Sequence, residues 1–125
     1  MRMIAATIAA CFLMAFAGAA LAGAAGGVPP FPRLPGAWYH VTINQTIKRT
    51  PHTLILDRGR IVQANSFQLT LRERDGSMVV VPLSQATIVV VDGVPATVFD
   101  LRKRMDAQTM RIDGGAAVRV RASSF

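Results

Sequence analysis

The fold of this chain is set by residues 67–101, which read FQLTLRERDGSMVVVPLSQATIVVVDGVPATVFDL. Apolar and polar residues alternate at the start of the segment, as in a strand with one buried face. Asp75-Gly76 and Asp92-Gly93 each follow a run of β-forming residues, and Asp-Gly between such runs is a strong hairpin signal. The runs at 78–81 and 88–91 are apolar on both faces, which indicates central or covered strands. The segment therefore predicts an all-β core.

The first Asp-Gly pair also predicts a strand register. If Asp75-Gly76 forms a two-residue loop, Leu71 lies opposite Val80 and both side chains point into the core. An aspartate at position 80 would then be a buried, unpaired charge and would destabilise the protein strongly. Phe67 and Phe99 are expected in the core as well. Because the runs at 78–81 and 88–91 are apolar on both faces, three further side chains are expected to be buried: Val79, Val81 and Val89.

Upstream of this core, the pattern is that of short strands separated by turns. We predict strands at residues 38–47, 54–56 and 60–63, with a turn at residues 57–59, where Asp-Arg-Gly interrupts the apolar pattern. Pro51 disfavours helix at the residue before it. These features extend the all-β pattern toward the N-terminus of the domain.

Downstream of the core, residues 97–101 predict one helical turn with Val98 and Leu101 directed inward and Asp100 orienting the turn. Two strands at 107–112 and 116–121 follow. Five to seven short strands with regularly spaced turn signals are typical of a small barrel. The predicted fold is therefore an all-β, OB-like or Sm-like barrel over residues 37–122, with one helical turn.

The N-terminus has the pattern of an export signal. Arg2 precedes an apolar, alanine-rich run, and Ala20-Leu21-Ala22 offers the small-x-small pattern of a cleavage site, which predicts a signal peptide at residues 1–22. Two alternatives are a membrane anchor at residues 3–22, which is about as long as a minimal span of roughly 20 residues, and a lipoprotein acylated at Cys11. Residues 23–36 contain four prolines and predict a linker. We expect a periplasmic or extracellular protein.

The segment from residue 59 to residue 121 resembles a known group of domains. Its pattern is Gly59-x-Ile61, a strand, Asp75-Gly76, a strand, and then a run from Thr87 to Leu101 that reads T-x-V-x-x-DG-x-x-A-x-x-x-DL. This order is similar to an exported bacterial small β-barrel domain family of unknown function. The resemblance implies a bacterial cell-envelope protein and implies no catalytic residues.

The sequence offers no constellation of catalytic residues. Three of the seven acids, Asp75, Asp92 and Asp113, precede glycines in turns, where aspartate is favoured for its backbone preference. Asp57 and Glu73 are isolated along the chain. The sequence therefore does not indicate the pair of positioned carboxylates that glycosidase chemistry requires. Nucleophile-elbow and phosphate-loop motifs are missing from the sequence. We therefore expect a non-enzymatic protein without a cofactor.

A metal site is the alternative function. Imidazole and thioether groups together suit copper, so a periplasmic copper-binding protein is the second hypothesis. The spacing of these residues is not diagnostic, since a lone histidine on a strand is more often a surface residue. The candidate ligands are His40, His52, Met105 and Met110.

The leading hypothesis is a binding module with a basic face. The chain has a formal net charge of +7, which becomes +6 without Arg2. Outside the cytoplasm, such a charge suits an anionic polymer, a lipid surface or an envelope protein, whereas cytoplasmic nucleic acid is not expected, since an aromatic stacking platform is missing. A basic surface that only keeps the protein soluble is the competing interpretation. The candidate binding residues are Arg102, Lys103, Arg104, Arg111, Arg119, Arg121, Trp38 and Tyr39.

Overall fold

Eight β-strands and one short 3-10 turn form the regular structure of residues 28–124, the part of the chain that the computed structural model describes. All of them belong to the unit formed by residues 33–125. The predicted signal peptide at 1–22, its alternatives and the first part of the linker lie outside the described residues. Among the described residues, no helix has the length and apolarity needed to cross a membrane. The elements are β1 His40–Ile47, β2 Thr50–Ala64, β3 Gln68–Glu73, β4 Met78–Pro82, β5 Ile88–Val91, β6 Val94–Ala96, the 3-10 turn Val98–Asp100, β7 Asp106–Ile112 and β8 Ala117–Ser123.

All eight strands belong to one open sheet, in which seven strands have the order β4-β3-β2-β7-β8-β5-β6. The remaining strand, β1, pairs with the first part of β2, on the same edge that pairs with β3 farther along. Neighbouring strands run antiparallel except β5 and β8, which are parallel. The prediction of an all-β fold is therefore confirmed, with eight strands where five to seven were expected. Closure of the sheet into a barrel stays a prediction, because β4 and β6 stand at opposite ends of this order.

Strand β2 is the longest element and corrects the upstream prediction. Residues 57–59 were expected to turn, but the backbone continues through them as part of one 15-residue strand. It is held on both edges: β7 pairs along one edge, while β1 and then β3 pair along the other. Gly59 lies where β1 gives way to β3, and a Cβ atom there would be 2.3 Å from the carbonyl oxygen of Arg72. Glycine is therefore required at this position by close backbone packing, not by a turn.

The β3–β4 hairpin has a register one residue away from the predicted one. The Glu73 N–H donates to the Ser77 carbonyl at 2.8 Å, so three residues, not two, form the loop. Gly76 has φ +89, which is the left-handed conformation that a three-residue hairpin loop places on glycine. Leu71 consequently lies opposite Val79.

This shift exchanges the two faces of β4. Val80, predicted to be in the core opposite Leu71, is 52% exposed, so that prediction is wrong. Val81 and Val89 are buried as predicted, whereas Val79 is only partly buried at the margin of the core. Since successive side chains point to opposite faces of a strand, one extra loop residue is enough to turn Val80 outward.

Two downstream predictions are confirmed. The predicted helical turn is present as the 3-10 turn, and Leu101 is buried while Val98 packs partly against the core. Asp100 orients the turn as expected, because its carboxylate accepts a 2.8 Å hydrogen bond from the Thr97 N–H in a capping box. The final hairpin also forms, as β7 and β8.

The sheet has an inner face, defined by the hydrophobic core, and an outer face on the opposite side. The core combines side chains from six strands and two loops. Phe67 and Phe99 are not part of it, since they are 65% and 77% exposed; Phe67 precedes β3, whose inner positions are filled by leucines. The core residues are Ile61, Leu69, Leu71, Val81, Leu83, Val89, Leu101, Met105, Ala107, Ala117, Val120 and Ala122.

Candidate functional site

An ionisable cluster of His40, Asp57 and Glu73 lies on the inner face. His40 begins β1 and is the register partner of Asp57 in β2. Glu73 ends β3 opposite Gly59, two residues beyond Asp57 along β2. Because residues two apart in a strand share a face, the pairing of β2 with both neighbours brings all three side chains to one place.

The cluster has one short contact and two unpaired oxygens. His40 Nδ1 lies 2.6 Å from Asp57 Oδ1. One potential ligand atom from each of the three side chains lies within 4.8 Å of those from the other two. Asp57 and Glu73 are 1% and 5% exposed, yet Asp57 Oδ2 and Glu73 Oε2 have no hydrogen-bond partner among the described residues. Buried polar atoms of this kind are uncommon and need a physical explanation.

Proton affinity in the cluster is altered in two ways. The pKa of Glu73 is raised to about 7, first because burial disfavours its charged form and then because the neighbouring Asp57 carboxylate favours its protonated form. The pKa of His40 is also raised, chiefly by its hydrogen bond to Asp57. Both groups therefore hold protons at a higher pH than in an unfolded chain.

A second histidine–aspartate pair, His52 and Asp113, lies at the other end of the β1–β2 hairpin. His52 Nδ1 contacts Asp113 Oδ2 at 2.5 Å, and Asp113 Oδ1 accepts a 2.9 Å hydrogen bond from the Thr53 N–H. This pair is more exposed than the first and has no second carboxylate beside it among the described residues. The pKa of Asp113 is lowered, first by the Thr53 N–H and then by His52.

An arginine-lined groove of about 710 Å³ opens on the outer face. Strands β2, β3 and β8 contribute arginines to it, and the segment before β1 contributes two aromatic residues. Two aspartates also line it, which leaves an excess of three positive charges among the five arginines and two aspartates. The charged and aromatic residues that line the groove are Trp38, Tyr39, Arg58, Arg60, Arg72, Arg74, Asp92, Asp106 and Arg121.

Some of the groove arginines make contacts within the protein, whereas others are exposed and could bind a ligand. The Arg58 guanidinium stacks over the Trp38 ring at 4.3 Å and donates through Nε to the Trp38 carbonyl at 3.1 Å. Arg60 lies 3.6 Å from Asp106, and both are exposed. Arg72 and Arg74 are exposed and make no ion pair with a described residue.

The structure unites only part of the predicted basic site. Trp38, Tyr39 and Arg121 line the groove, where Arg121 donates to Gln108 Oε1 at 2.9 Å. The residues from 102 to 104, namely Arg102, Lys103 and Arg104, are exposed on the loop before β7 and do not line it.

Arg111 and Arg119 were expected to lie close together, and they do not share a face. A bulge in the β7–β8 pairing sets Met110 opposite Arg119 and Arg111 opposite Ala117. Arg111 donates to the carbonyls of residues 114 and 115, at 2.6 and 2.9 Å, and so fastens its own hairpin loop. Arg119 is half-buried, and burial lowers its pKa.

The predicted copper ligands are not brought together. His40 pairs with Asp57, whereas His52 pairs with Gln45, so the two histidines are five strand positions apart, or about 17 Å, on opposite faces. Met105 is part of the inner core, and Met110 is fully buried. The structure therefore does not bring these four residues together at one site.

Sequence reasoning missed Asp57 and Glu73 as partners because they are 16 residues apart and each is unremarkable alone. It also missed the groove arginines of β2 and β3. The spacing in β2 carried a usable signal, since Arg58-x-Arg60 places two cations on one face of a strand.

Comparison of the chain with protein-family models, curated proteins and solved structures finds no match.

Proposed function

We propose that this protein is an exported, non-enzymatic module of the bacterial cell envelope that binds an acidic polysaccharide in the arginine-lined groove. The observation that carries the proposal is the convergence of five arginines, four from strands β2, β3 and β8 and Arg74 from the β3–β4 loop, on one groove of the outer face. We further propose that the sheet closes into a small OB-like or Sm-like barrel. OB-folds commonly bind oligosaccharides on one face of the barrel.

Guanidinium groups suit this ligand class. Each presents a planar set of donors that matches a carboxylate or sulfate group in two parallel hydrogen bonds. Arg72 and Arg74 are exposed and lack ion pairs within residues 28–124, so a ligand does not have to displace an internal partner to reach them. Several cations along one groove favour an extended polyanion over a single small anion, because each contact releases counterions from the polymer.

The aromatic end of the groove supports a sugar polymer in particular. Trp38 is fixed by Arg58, which stacks on its ring and bonds to its carbonyl, and Tyr39 is beside it. The Tyr39 carbonyl accepts a 2.8 Å hydrogen bond from the Arg58 N–H. An apolar ring held next to guanidinium groups offers a sugar both a flat contact surface and partners for its acidic groups.

Binding is tested by retention of the purified protein on immobilised heparin across a salt series. We expect retention at low salt that falls steeply as salt rises. The double variant Arg72→Gln/Arg74→Gln should elute at markedly lower salt. Its matched control is Arg102→Gln/Lys103→Gln, which removes the same charge from the loop before β7 and should elute almost like the parent.

Three outcomes contradict the proposal. If the parent is not retained, the basic surface only confers solubility. Equal loss in both double variants would indicate net charge without a site, and loss only in the control would return the site to residues 102–104. Vesicles of phosphatidylglycerol form a separate arm: binding to vesicles without retention on heparin would replace the polysaccharide with a lipid surface.

A further inference from the structure

Asp57 and Glu73, the buried carboxylates at the open end of the β1–β2 hairpin, have no role in the proposed polysaccharide binding in the groove. Strand alternation places Asp57 and Glu73 on the inner face, whereas the groove arginines of the same strands lie on the outer face. Each carboxylate has one buried oxygen without a partner in the described part of the chain. Two buried carboxylates beside each other are unfavourable unless a proton or a cation lies between them.

We propose that His40, Asp57 and Glu73 form a binding site for one Zn²⁺ ion. The donor set is one imidazole nitrogen and two carboxylate oxygens, which are ligands that Zn²⁺ accepts in proteins. Three protein ligands leave a fourth, tetrahedral position for water, as in open zinc sites. The unpaired oxygens Asp57 Oδ2 and Glu73 Oε2 would gain the partner that the protein does not provide.

The geometry agrees with this assignment. Ligand atoms around a tetrahedral Zn²⁺ lie roughly 3.3 Å apart, given zinc–ligand distances of about 2.0–2.1 Å, and the three donor groups here are already within 4.8 Å of one another. His40 is 48% exposed in its side chain while Asp57 is 1% exposed. An ion can therefore approach past the histidine, which has room to exchange its 2.6 Å contact with Asp57 for a bond to the metal.

The groups around Asp57 and Glu73 leave room for a bound cation, because no neighbouring side chain provides a fixed positive charge there apart from His40. Ser77 donates to Glu73 Oε1 at 3.3 Å and to Asp75 at 2.6 Å, so the remaining Glu73 oxygen is left for the site. No lysine or arginine makes an ion pair with Asp57 or Glu73 among the described residues. The cluster thus has negative charge and no fixed counter-ion apart from His40.

Protons and zinc compete for the same atoms. His40, Asp57 and Glu73 must all be deprotonated to coordinate the ion. We therefore expect zinc affinity to increase from pH 6 to pH 8.

The experiment is calorimetric titration of the purified protein, free of any polyhistidine tag, with Zn²⁺ at pH 7.5. We expect one ion per chain and a melting temperature that rises with zinc concentration. Glu73→Gln, whose amide can donate to Asp57 and so preserves the fold, should weaken binding by at least about 100-fold. Asp57→Asn is the second variant, so the test does not depend on one substitution.

The His52–Asp113 pair provides the matched control. His52→Asn removes a histidine with the same kind of aspartate contact but without a second carboxylate, and it should leave zinc affinity within about twofold of the parent. Binding that survives both Glu73→Gln and Asp57→Asn, or that is lost in His52→Asn, overturns the proposal. A parent that binds no zinc at pH 8 also overturns it, and would identify the cluster as a carboxyl pair that shares a proton.

Discussion

The two histidine–aspartate pairs show how differently the two faces of one sheet treat the same chemical groups. His40 and Asp57 meet on the inner face, where Asp57 is 1% exposed and Glu73 is adjacent. His52 and Asp113 meet at the rim, where the aspartate is 51% exposed and also caps the Thr53 N–H. Burial and the neighbouring Asp57 carboxylate raise the pKa of Glu73 beside the first pair, whereas hydrogen bonds to its carboxylate lower the pKa of Asp113. Surroundings, not residue type, determine the chemistry of the pair.

The largest difference in stability between substitutions on the inner and outer faces is expected in β4. Val81→Asp places a charge without a partner at a fully buried position of the inner face and should lower the free energy of unfolding by at least about 4 kcal/mol. Val80→Asp, one residue away on the outer face, should change it by less than about 1 kcal/mol. Urea denaturation of both variants measures the difference. Similar losses in the two variants would mean that the β3–β4 register is wrong.

The next effect is the pH dependence of stability that the inner cluster imposes. Because the pKa of Glu73 rises from 4.5 to about 7 on folding, the native state holds a proton that the unfolded state has released. Stability should therefore fall as pH rises from 4.5 to 7, by about 3 kcal/mol at most. His40 acts in the same direction, since its stabilising contribution is lost as pH rises through its elevated pKa. Urea denaturation between pH 5 and pH 8, without added metal, measures this slope.

Glu73→Gln should remove most of that slope and make the protein more stable than the parent at pH 8. Asp113→Asn, the change at the rim, should leave the slope between pH 5 and pH 8 intact, because the lowered pKa of Asp113 acts only in acid. A parent with flat stability over this range would show that the two inner carboxylates do not share a proton.

The smallest effect is the titration of His40 itself. Its pKa should lie above the ordinary value of 6.5 because Asp57 accepts its proton. Asp57→Asn should bring the pKa down, since the charge and the accepting oxygen are both changed. Imidazole proton resonances followed by NMR between pH 5 and pH 9 report this directly. An unchanged titration in the variant would mean that the 2.6 Å contact does not govern the histidine.

Local sequence patterns account for strands β3, β4 and β5 and for the 3-10 turn that follows β6. Alternation at Leu69 and Leu71, the apolar runs at 78–81 and 88–91, and the capping residues Thr97 and Asp100 all specify structure within a few residues, and these predictions agree with the fold. Periodicity of two also places Arg58 and Arg60 on one face of β2, so this part of the cationic face could be read from the sequence. Such features depend on backbone geometry and side-chain direction, which neighbouring residues fix.

Strand pairing supplied the rest, because register and neighbour choice are settled by contacts between distant segments. One additional loop residue at Arg74 moved Val80 from the inner face to the outer face. Asp57, in a segment that resembled a turn, became the centre of a strand because β7 and β1 both pair with it. Asp57 contacts His40 and lies near Glu73 only because β1, β2 and β3 meet at this point. The spacing of these residues along the chain could therefore not have predicted the cluster.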